Sequence, residues 1–381
     1  MQNRENVLNE ILQLKCKQLL LELPTGYGKS KIALTVLKDR LEQKNSYLNK
    51  KILIVIPKNC LINNWNDEIK KWLPIQYETL IKNHITYTTY VSLPKYAGYW
   101  DMVIFDEGHH LTERCIEALQ SFTIDNILFL SATVKRNMKW DLRKLYPKIY
   151  IYKIRTREAI DNEVLPDPHV ILIPLKLDTI NNTEIRTIRK TKEQYPCTPR
   201  EYYDDISRLI EWWKGKAMYG NQAFKNIWLH HAGERIKWLS KQKTTIVSEI
   251  LKKLSNYRTL TFCSSIKQAE HLGKNSIHSK KKESQEILEK FNKGKIKHIT
   301  SVQVLDEGVN LTNCQIGIYA NLNSSERIVK QRLGRILRHK NPVIIIPFYL
   351  NTRDEEIVKQ MIQDYNPNLI KVVYTIKDIV I

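Results

Sequence analysis

The chain lacks the features that would commit it to a membrane, a metal cluster or an oxidising compartment. Its six cysteines (Cys16, Cys60, Cys115, Cys197, Cys263 and Cys314) lie far apart, with no Cys-x-x-Cys pair among them. Such spacing encodes neither a zinc ribbon nor an iron–sulfur cluster, and reduced, buried thiols are expected. No apolar run is long enough to cross a bilayer, so no membrane partner is expected. The first residues, Met-Gln-Asn-Arg-Glu-Asn, lack the basic-then-apolar form of a signal peptide, and an intracellular, cytoplasmic location is expected. No period of roughly 20–50 residues recurs, which excludes repeat architectures. Acidic residues are also in short supply: 40 stand against 61 lysines and arginines, a net charge of +21. The basic residues are spread along the chain instead of forming a tail. A partner lying across folded surfaces fits that distribution, and phosphate backbones call for such a surplus where small acidic metabolites rarely do.

At 381 residues the chain exceeds one ordinary core, and its 42 % hydrophobic content is ample for two. The first half alternates buried-strand runs with helical stripes. Residues 19–23 form one apolar run and Lys51-Ile-Leu-Ile-Val-Ile-Pro57 another, of the parallel-sheet kind. Leu61, Trp65, Ile69 and Trp72 then fall on one helical face. Shorter strands are expected at 85–89, 102–105 and 127–130. After Pro166 and Pro168 a second series begins, with strands at 169–175, 258–263, 297–302, 315–320 and 342–348. The pattern predicts an α/β protein of two parallel-sheet domains, 1–155 and 169–381, joined by a linker at 156–168. Between about 181 and 245 the period is helical and four of the eight tryptophans gather (Trp212, Trp213, Trp228 and Trp238), so a helical insertion is expected there.

Within this alternation one stretch organises the rest: Pro24-Thr-Gly-Tyr-Gly-Lys-Ser30, a tight turn between an apolar strand and an amphipathic helix. Such a turn aims several backbone N–H groups and the positive end of the helix dipole at one point. Gly26 and Gly28 let the backbone approach an anion, Lys29 can reach the outer phosphates of a nucleotide, and the Ser30 hydroxyl can ligate Mg²⁺. About 75 residues on, the apolar strand Met102-Val-Ile-Phe105 ends in two carboxylates, Asp106 and Glu107. Asp106 can hold Mg²⁺ while Glu107 orients and deprotonates an attacking water. His109 is expected to couple to Glu107, whereas His110, His230 and His231 read as structural. Ser131-Ala-Thr133 puts two hydroxyls at a further strand end, able to bond the carboxylate loop. Residues 324–338 read as a basic helix with Gln331, Arg335 and Arg338 on one stripe, and two such arginines could stabilise charge on a leaving phosphate.

In this order the motifs resemble those of superfamily 2 helicases of the DExH group, across nearly the whole chain, and in flavour the compact XPB-like enzymes and phage recombination helicases. Gln2 resembles the upstream adenine-reading glutamine, and Pro24–Ser30 (Pro24, Thr25, Gly26, Tyr27, Gly28, Lys29, Ser30) the phosphate loop. Ile54–Pro57 through Trp65, then Thr88–Leu93, resemble the segments before the carboxylates. Thr261–Ser265, Asp306-Glu-Gly-Val-Asn310 and Gln331–Arg338 resemble the three motifs of the second domain. The resemblance implies two RecA-like domains that close over ATP and Mg²⁺. Gly308 and Asn310 would then serve the nucleotide, and His109, Ser131 and Thr133 the coupling. Pro57, Thr89, Ser264 and Ser301 would touch nucleic acid. Gly108 stands where the family usually has alanine. Val302 stands where a strand-contacting threonine is common, and Asn310 where an aspartate touches the ribose. The implied activity is ATP-dependent unwinding or branch remodelling, on DNA more than RNA, alongside replication, recombination or repair proteins. A non-unwinding duplex translocase or restriction-type motor subunit shares every motif, and an RNA helicase or a passive nucleic-acid binder also stays open.

Overall fold

The computed structural model describes residues 2–42, 50–187, 193–220, 222–302, 311, 314–323, 332, 334, 336 and 339–381. The chain divides into two compact units, 1–166 with 333–335, and 167–332 with 336–381. Among the described residues no helix is long and apolar enough to cross a membrane.

The first unit is built on six parallel strands: β1 Gln18–Glu22, β2 Ile52–Ile56, β3 Ile85–Thr89, β4 Gly98–Phe105, β5 Phe122–Ser131 and β6 Tyr150–Lys153. Their spatial order is β3-β2-β4-β5-β1-β6. The central strands are apolar on both faces, as Ile52–Ile56 shows with five consecutive buried residues, because helices cover both sides of a parallel sheet. Helices α1 Gln2–Gln13, α2 Lys29–Glu42, α3 Ile62–Trp72, α4 Glu113–Leu119, α5 Arg136–Leu145 and α6 Thr156–Asp161 supply the cover. One side of the core gathers Leu20, Leu53, Val103, Phe105, Ile127 and Phe129 with Met138 and Leu142 of α5. Ala159 and Ile160 of α6, inside the stretch expected as linker, are buried.

The topology decides what meets at the sheet's C-terminal edge. β5 lies between β1 and β4, with Glu22 opposite Ser131 and Phe105 opposite Phe129. The turn after β1, Ser131 at the end of β5 and the carboxylates after β4 are therefore neighbours, although β1 and β4 are far apart in sequence.

The second unit holds seven parallel strands in the order β11-β12-β10-β13-β14-β7-β15. They are β7 His169–Leu175, β10 Thr259–Phe262, β11 Ser276–Ile277, β12 His298–Ser301, β13 Ile316–Tyr319, β14 Val343–Tyr349 and β15 Ile370–Val372. The insertion differs from the all-helical expectation. It opens with an antiparallel pair, β8 Glu184–Thr187 and β9 Gln194–Cys197, and becomes helical only from α7 Pro199–Ala217 and α8 Gln222–Gln242. The polar composition of both strands, and Pro196 within β9, hide the pair from periodicity. Pro199 starts α7 behind a Thr198 cap whose hydroxyl accepts from Glu201 N–H, with the Glu201 side chain reaching back in return. The helical pair is seated on the sheet by Leu177, Tyr203, Trp238, Leu239 and Tyr349. Trp238 is thus core, Trp213 and Trp228 are half-buried, and Trp212 is 49 % exposed. The next helix, α9 Thr244–Lys253, buries Val247 and Ile250 against the sheet.

Candidate active site

The phosphate turn is shaped by two left-handed glycines, Gly26 at φ +89° and Gly28 at φ +97°, a conformation that strains any residue with a Cβ. A Cβ at Gly28 would meet no atom within 4 Å, so the backbone there faces open space of the kind an anion needs. Pro24 and Tyr27 are buried beneath the turn, Thr25, Gly26, Lys29 and Ser30 are half-buried, and Gly28 is exposed. Burial pushes the Tyr27 phenol up to about 12. Tyr27 N–H donates to Pro24 O at 3.2 Å and Ile32 N–H to Gly28 O at 3.1 Å, which starts α2 inside the turn. Lys29 Nζ donates to Leu23 O at 3.4 Å, folding its ammonium back over the loop. Arg4, from α1, donates to Gly26 O at 3.4 Å and to Val164 O at 2.8 Å. That latch from the N-terminal helix had no sequence signal.

The carboxylates follow β4. Asp106 N–H donates to Val55 O at 2.8 Å, continuing the ladder, and Tyr90 Oη donates to Asp106 O at 2.6 Å. The Asp106 carboxylate accepts from Trp65 Nε1 at 3.0 Å. Burial, and next the charge of Glu107, raise the Asp106 carboxyl to about 6, while the Trp65 hydrogen bond and the Lys29 charge pull the other way. Glu107 sits in the left-handed region at φ 52°, ψ 57°, a conformation costing a non-glycine residue about 1–2 kcal/mol. The turn brings the Glu107 carboxylate within 3.3 Å of His109 Nδ1. The same nitrogen lies 3.4 Å from Ser131 Oγ. Ser131 Oγ donates to Thr133 O at 2.7 Å and accepts from Thr133 N–H at 3.3 Å. One imidazole thus touches both the carboxylate loop and the end of β5. A Cβ on Gly108 would come no closer than 3.5 Å to Leu130 O, so the alanine usual in the family would fit.

Asp106, Glu107, Lys29, Ser30, His109, Ser131 and Thr133 are therefore gathered at one sheet edge. Pro57 and Thr89 lie at the same edge on the adjacent strands β2 and β3, with Ile56 opposite Thr89. In the second unit Ser264 N–H and Oγ donate to Gln268 Oε1 at 3.0 and 3.3 Å. Ser301 is buried at 2 % exposure, with half-buried Val302 beside it. Gly308, Asn310, Gln331, Arg335 and Arg338 lie outside the described residues, as does the side chain of Gln2. Within the same basic segment Arg332 is described: it is buried and donates to Asn321 O at 2.9 Å, a tie inside the second unit. Trp65 and Tyr90 both bond Asp106, contacts that the helical stripe of Trp65 and the family-like segment holding Tyr90 did not announce.

Two family profiles match the chain: "Type III restriction enzyme, res subunit" over residues 2–136 and "Helicase conserved C-terminal domain" over 242–340. The DNA 3′-5′ translocase XPB2 of Sulfurisphaera tokodaii is 28 % identical over 352 residues, covering 86 % of this chain and 76 % of the relative. A protein of Sulfolobus islandicus filamentous virus is 25 % identical over 362 residues, covering 84 % of this chain, which spans 57 % of that relative's length. In fold, the chain resembles the Pyrococcus furiosus Hef helicase domain (TM-score 0.54, 14 % identity, 94 % of this chain and 97 % of that one). It also resembles Saccharomyces cerevisiae Dbp5 bound to RNA and ADP BeF3 (TM-score 0.63, 11 % identity, 97 % and 89 %). The two parallel sheets are of RecA-like form, and the helicase profiles with the XPB2 relative indicate an ATP-hydrolysing enzyme. The two profiles and the XPB2 relative support a superfamily 2 helicase of XPB-like type.

Proposed function

We propose that this chain is an ATP- and Mg²⁺-dependent motor that moves along DNA. The observation that carries the reading is the convergence, at the C-terminal edge of one sheet, of the phosphate turn, the carboxylate pair and the His109–Ser131 contact between them. The donor set suits a hard cation: a serine hydroxyl and a carboxylate, all oxygen. Burial, and next the neighbouring Glu107 charge, hold Asp106 up at about 6, and a divalent cation would relieve the repulsion between the two carboxylates. Mg²⁺, when bound, supplies positive charge to the phosphates. Ser30 and Asp106 would hold it, Lys29 and the Gly26–Gly28 backbone would hold the phosphates, and Glu107 would orient and deprotonate water. Arg335 and Arg338 would steady charge on the leaving phosphate. His109, touching Glu107 and Ser131 together, would report hydrolysis to the end of β5.

DNA is favoured over RNA by the name of the XPB2 relative, and the net charge of +21 suits a phosphate backbone. Pro57, Thr89 and Ser264, on strand ends, are proposed contacts. ATPase assays with single-stranded DNA, duplex, branched DNA and RNA in turn, followed by strand displacement, test this. Stimulation by DNA with little by RNA is expected, and ATP turnover indifferent to every nucleic acid would overturn it. Duplex stimulation without strand displacement would mark the non-unwinding translocase.

A further inference from the structure

Helix α5 (Arg136–Leu145) has no part in the site described above, yet it concentrates cations. Residues 135–148 hold Lys135, Arg136, Lys139, Arg143, Lys144 and Lys148 against a single acid, Asp141. Six basic positions in fourteen far exceed the 61 in 381 of the chain as a whole, so the general surplus does not account for them. The helix packs through Met138 and Leu142. Its opposite stripe carries Arg136, Trp140, Arg143 and Lys144, all exposed, at i, i+4, i+7 and i+8. Of the six cations, Lys139 is neutralised by the buried Glu22 carboxylate. Among the described residues no carboxylate lies within ion-pair distance of Arg136, Arg143, Lys144 or Lys148.

In the middle of this stripe stands Trp140, 62 % exposed. A single exposed aromatic residue is ordinary on a protein surface. Here its ring is held by Lys144 Nζ, 5.3 Å from the centroid, and it is surrounded by unneutralised charge. Tyr150, 43 % exposed, opens the edge strand β6 just beyond the helix. Unpaired cations interleaved with a flat aromatic face make a surface for a strand that offers phosphates and unstacked bases together. The surface lies on different elements from the proposed strand-end contacts. Pro57 and Thr89 stand at the C-terminal ends of β2 and β3, whereas α5 covers one face of the sheet and leads into β6.

We propose that the outer face of α5 is an auxiliary site for single-stranded nucleic acid, with Trp140 stacking on a base and Arg136, Arg143, Lys144 and Lys148 gripping phosphates. The proposal rests on the reading that the chain acts on nucleic acid. A strand engaged at both surfaces gains avidity, so α5 would set how much nucleic acid is needed and leave the rate of the saturated motor alone.

The test uses the full chain with W140A, W140F and R143A/K144A, each checked for an unchanged melting profile. Affinity for a long oligothymidylate is measured from 50 to 200 mM salt, and stimulated ATPase is titrated with the same strand. W140A is expected to weaken binding about tenfold to a hundredfold, W140F much less. R143A/K144A should lower the slope of log affinity against log salt by about 1.4, at roughly 0.7 for each phosphate no longer neutralised. All three should raise the concentration for half-maximal ATPase and keep the maximal rate. Variants that bind and titrate like a DNA-stimulated wild type would overturn this site and leave the motor reading intact. A wild type that neither binds nor responds to DNA or RNA would overturn both. Loss of polyglutamate binding with DNA binding unchanged would assign the surface to an acidic protein segment instead and overturn the nucleic-acid site.

Discussion

Replacing Trp65 by phenylalanine isolates one hydrogen bond whose effect can be worked through to an assay. The indole donates to the Asp106 carboxylate at 3.0 Å and is among the groups holding that carboxyl down against burial and Glu107. A hydrogen bond to a charged acceptor is worth about 1.5–3 kcal/mol, and about 1.4 kcal/mol is one pKa unit. The carboxyl, already at about 6, should therefore rise by about one to two units in the variant. Protons compete with Mg²⁺ for a raised carboxyl, so cation affinity is present above its pKa and lost as pH falls through it. At pH 6 the wild-type half-saturating Mg²⁺ is roughly doubled by protonation and the variant's is raised roughly 10- to 100-fold, a ratio of about 5–50. By pH 8.5 both carboxyls are ionised and the ratio should approach about 1. Trp65 is only 3 % exposed, so the smaller ring will also cost some stability, but a packing defect does not produce a ratio that collapses with rising pH. Mg²⁺ titrations of the DNA-stimulated ATPase between pH 6 and 8.5 read it directly. A variant-to-wild-type ratio that is flat across that range would refute the proposed link between Trp65, Asp106 and the cation.

Three further outcomes are expected. Lys29→Ala should abolish turnover by weakening nucleotide binding, whereas Glu107→Gln should abolish it with binding retained; nucleotide affinity measured beside turnover separates the two routes, and near-wild-type hydrolysis by Glu107→Gln would remove the water-activating role. Lys243 is fully buried with its Nζ 2.8 Å from Asp354, so Lys243→Ala should destabilise the second unit by about 3–5 kcal/mol by stranding a carboxylate. The paired change Lys243→Met with Asp354→Leu should recover much of that in denaturant unfolding, and equal losses for both would show that the charge pair itself stabilises. Trp212→Ala on the insertion, where the ring is half-exposed under Lys216 Nζ at 4.0 Å, should spare basal ATPase and weaken binding to branched DNA several-fold, an order set by base stacking; unchanged binding from 50 to 200 mM salt would leave that tryptophan as packing.

Local chemistry made the phosphate turn legible from sequence alone. A buried strand, two glycines at backbone angles other residues avoid, and a helix beginning at Lys29 are all encoded within about fifteen residues. The carboxylate pair was legible for the same reason, since an apolar strand must deliver Asp106 and Glu107 at its end. Charge balance likewise pointed to a polyanionic partner without any fold. Tertiary structure alone decided which of these ends are neighbours. The insertion of β5 between β1 and β4 sets Ser131 beside both loops, and the Trp65–Asp106 bond joins residues 41 apart. No periodicity carries such information, because it depends on the order in which strands pair. The β8–β9 pair was hidden because its strands are polar and bury little, so the apolar alternation that normally announces a strand is missing. Lys243 reads as one more solvated cation in Lys241-Gln-Lys243, and only packing reveals it as a buried partner of Asp354. Sequence determines what each segment can do, because backbone preference and side-chain chemistry are local. Which groups act on one another follows from burial and strand order, and those exist only once the sheet has assembled.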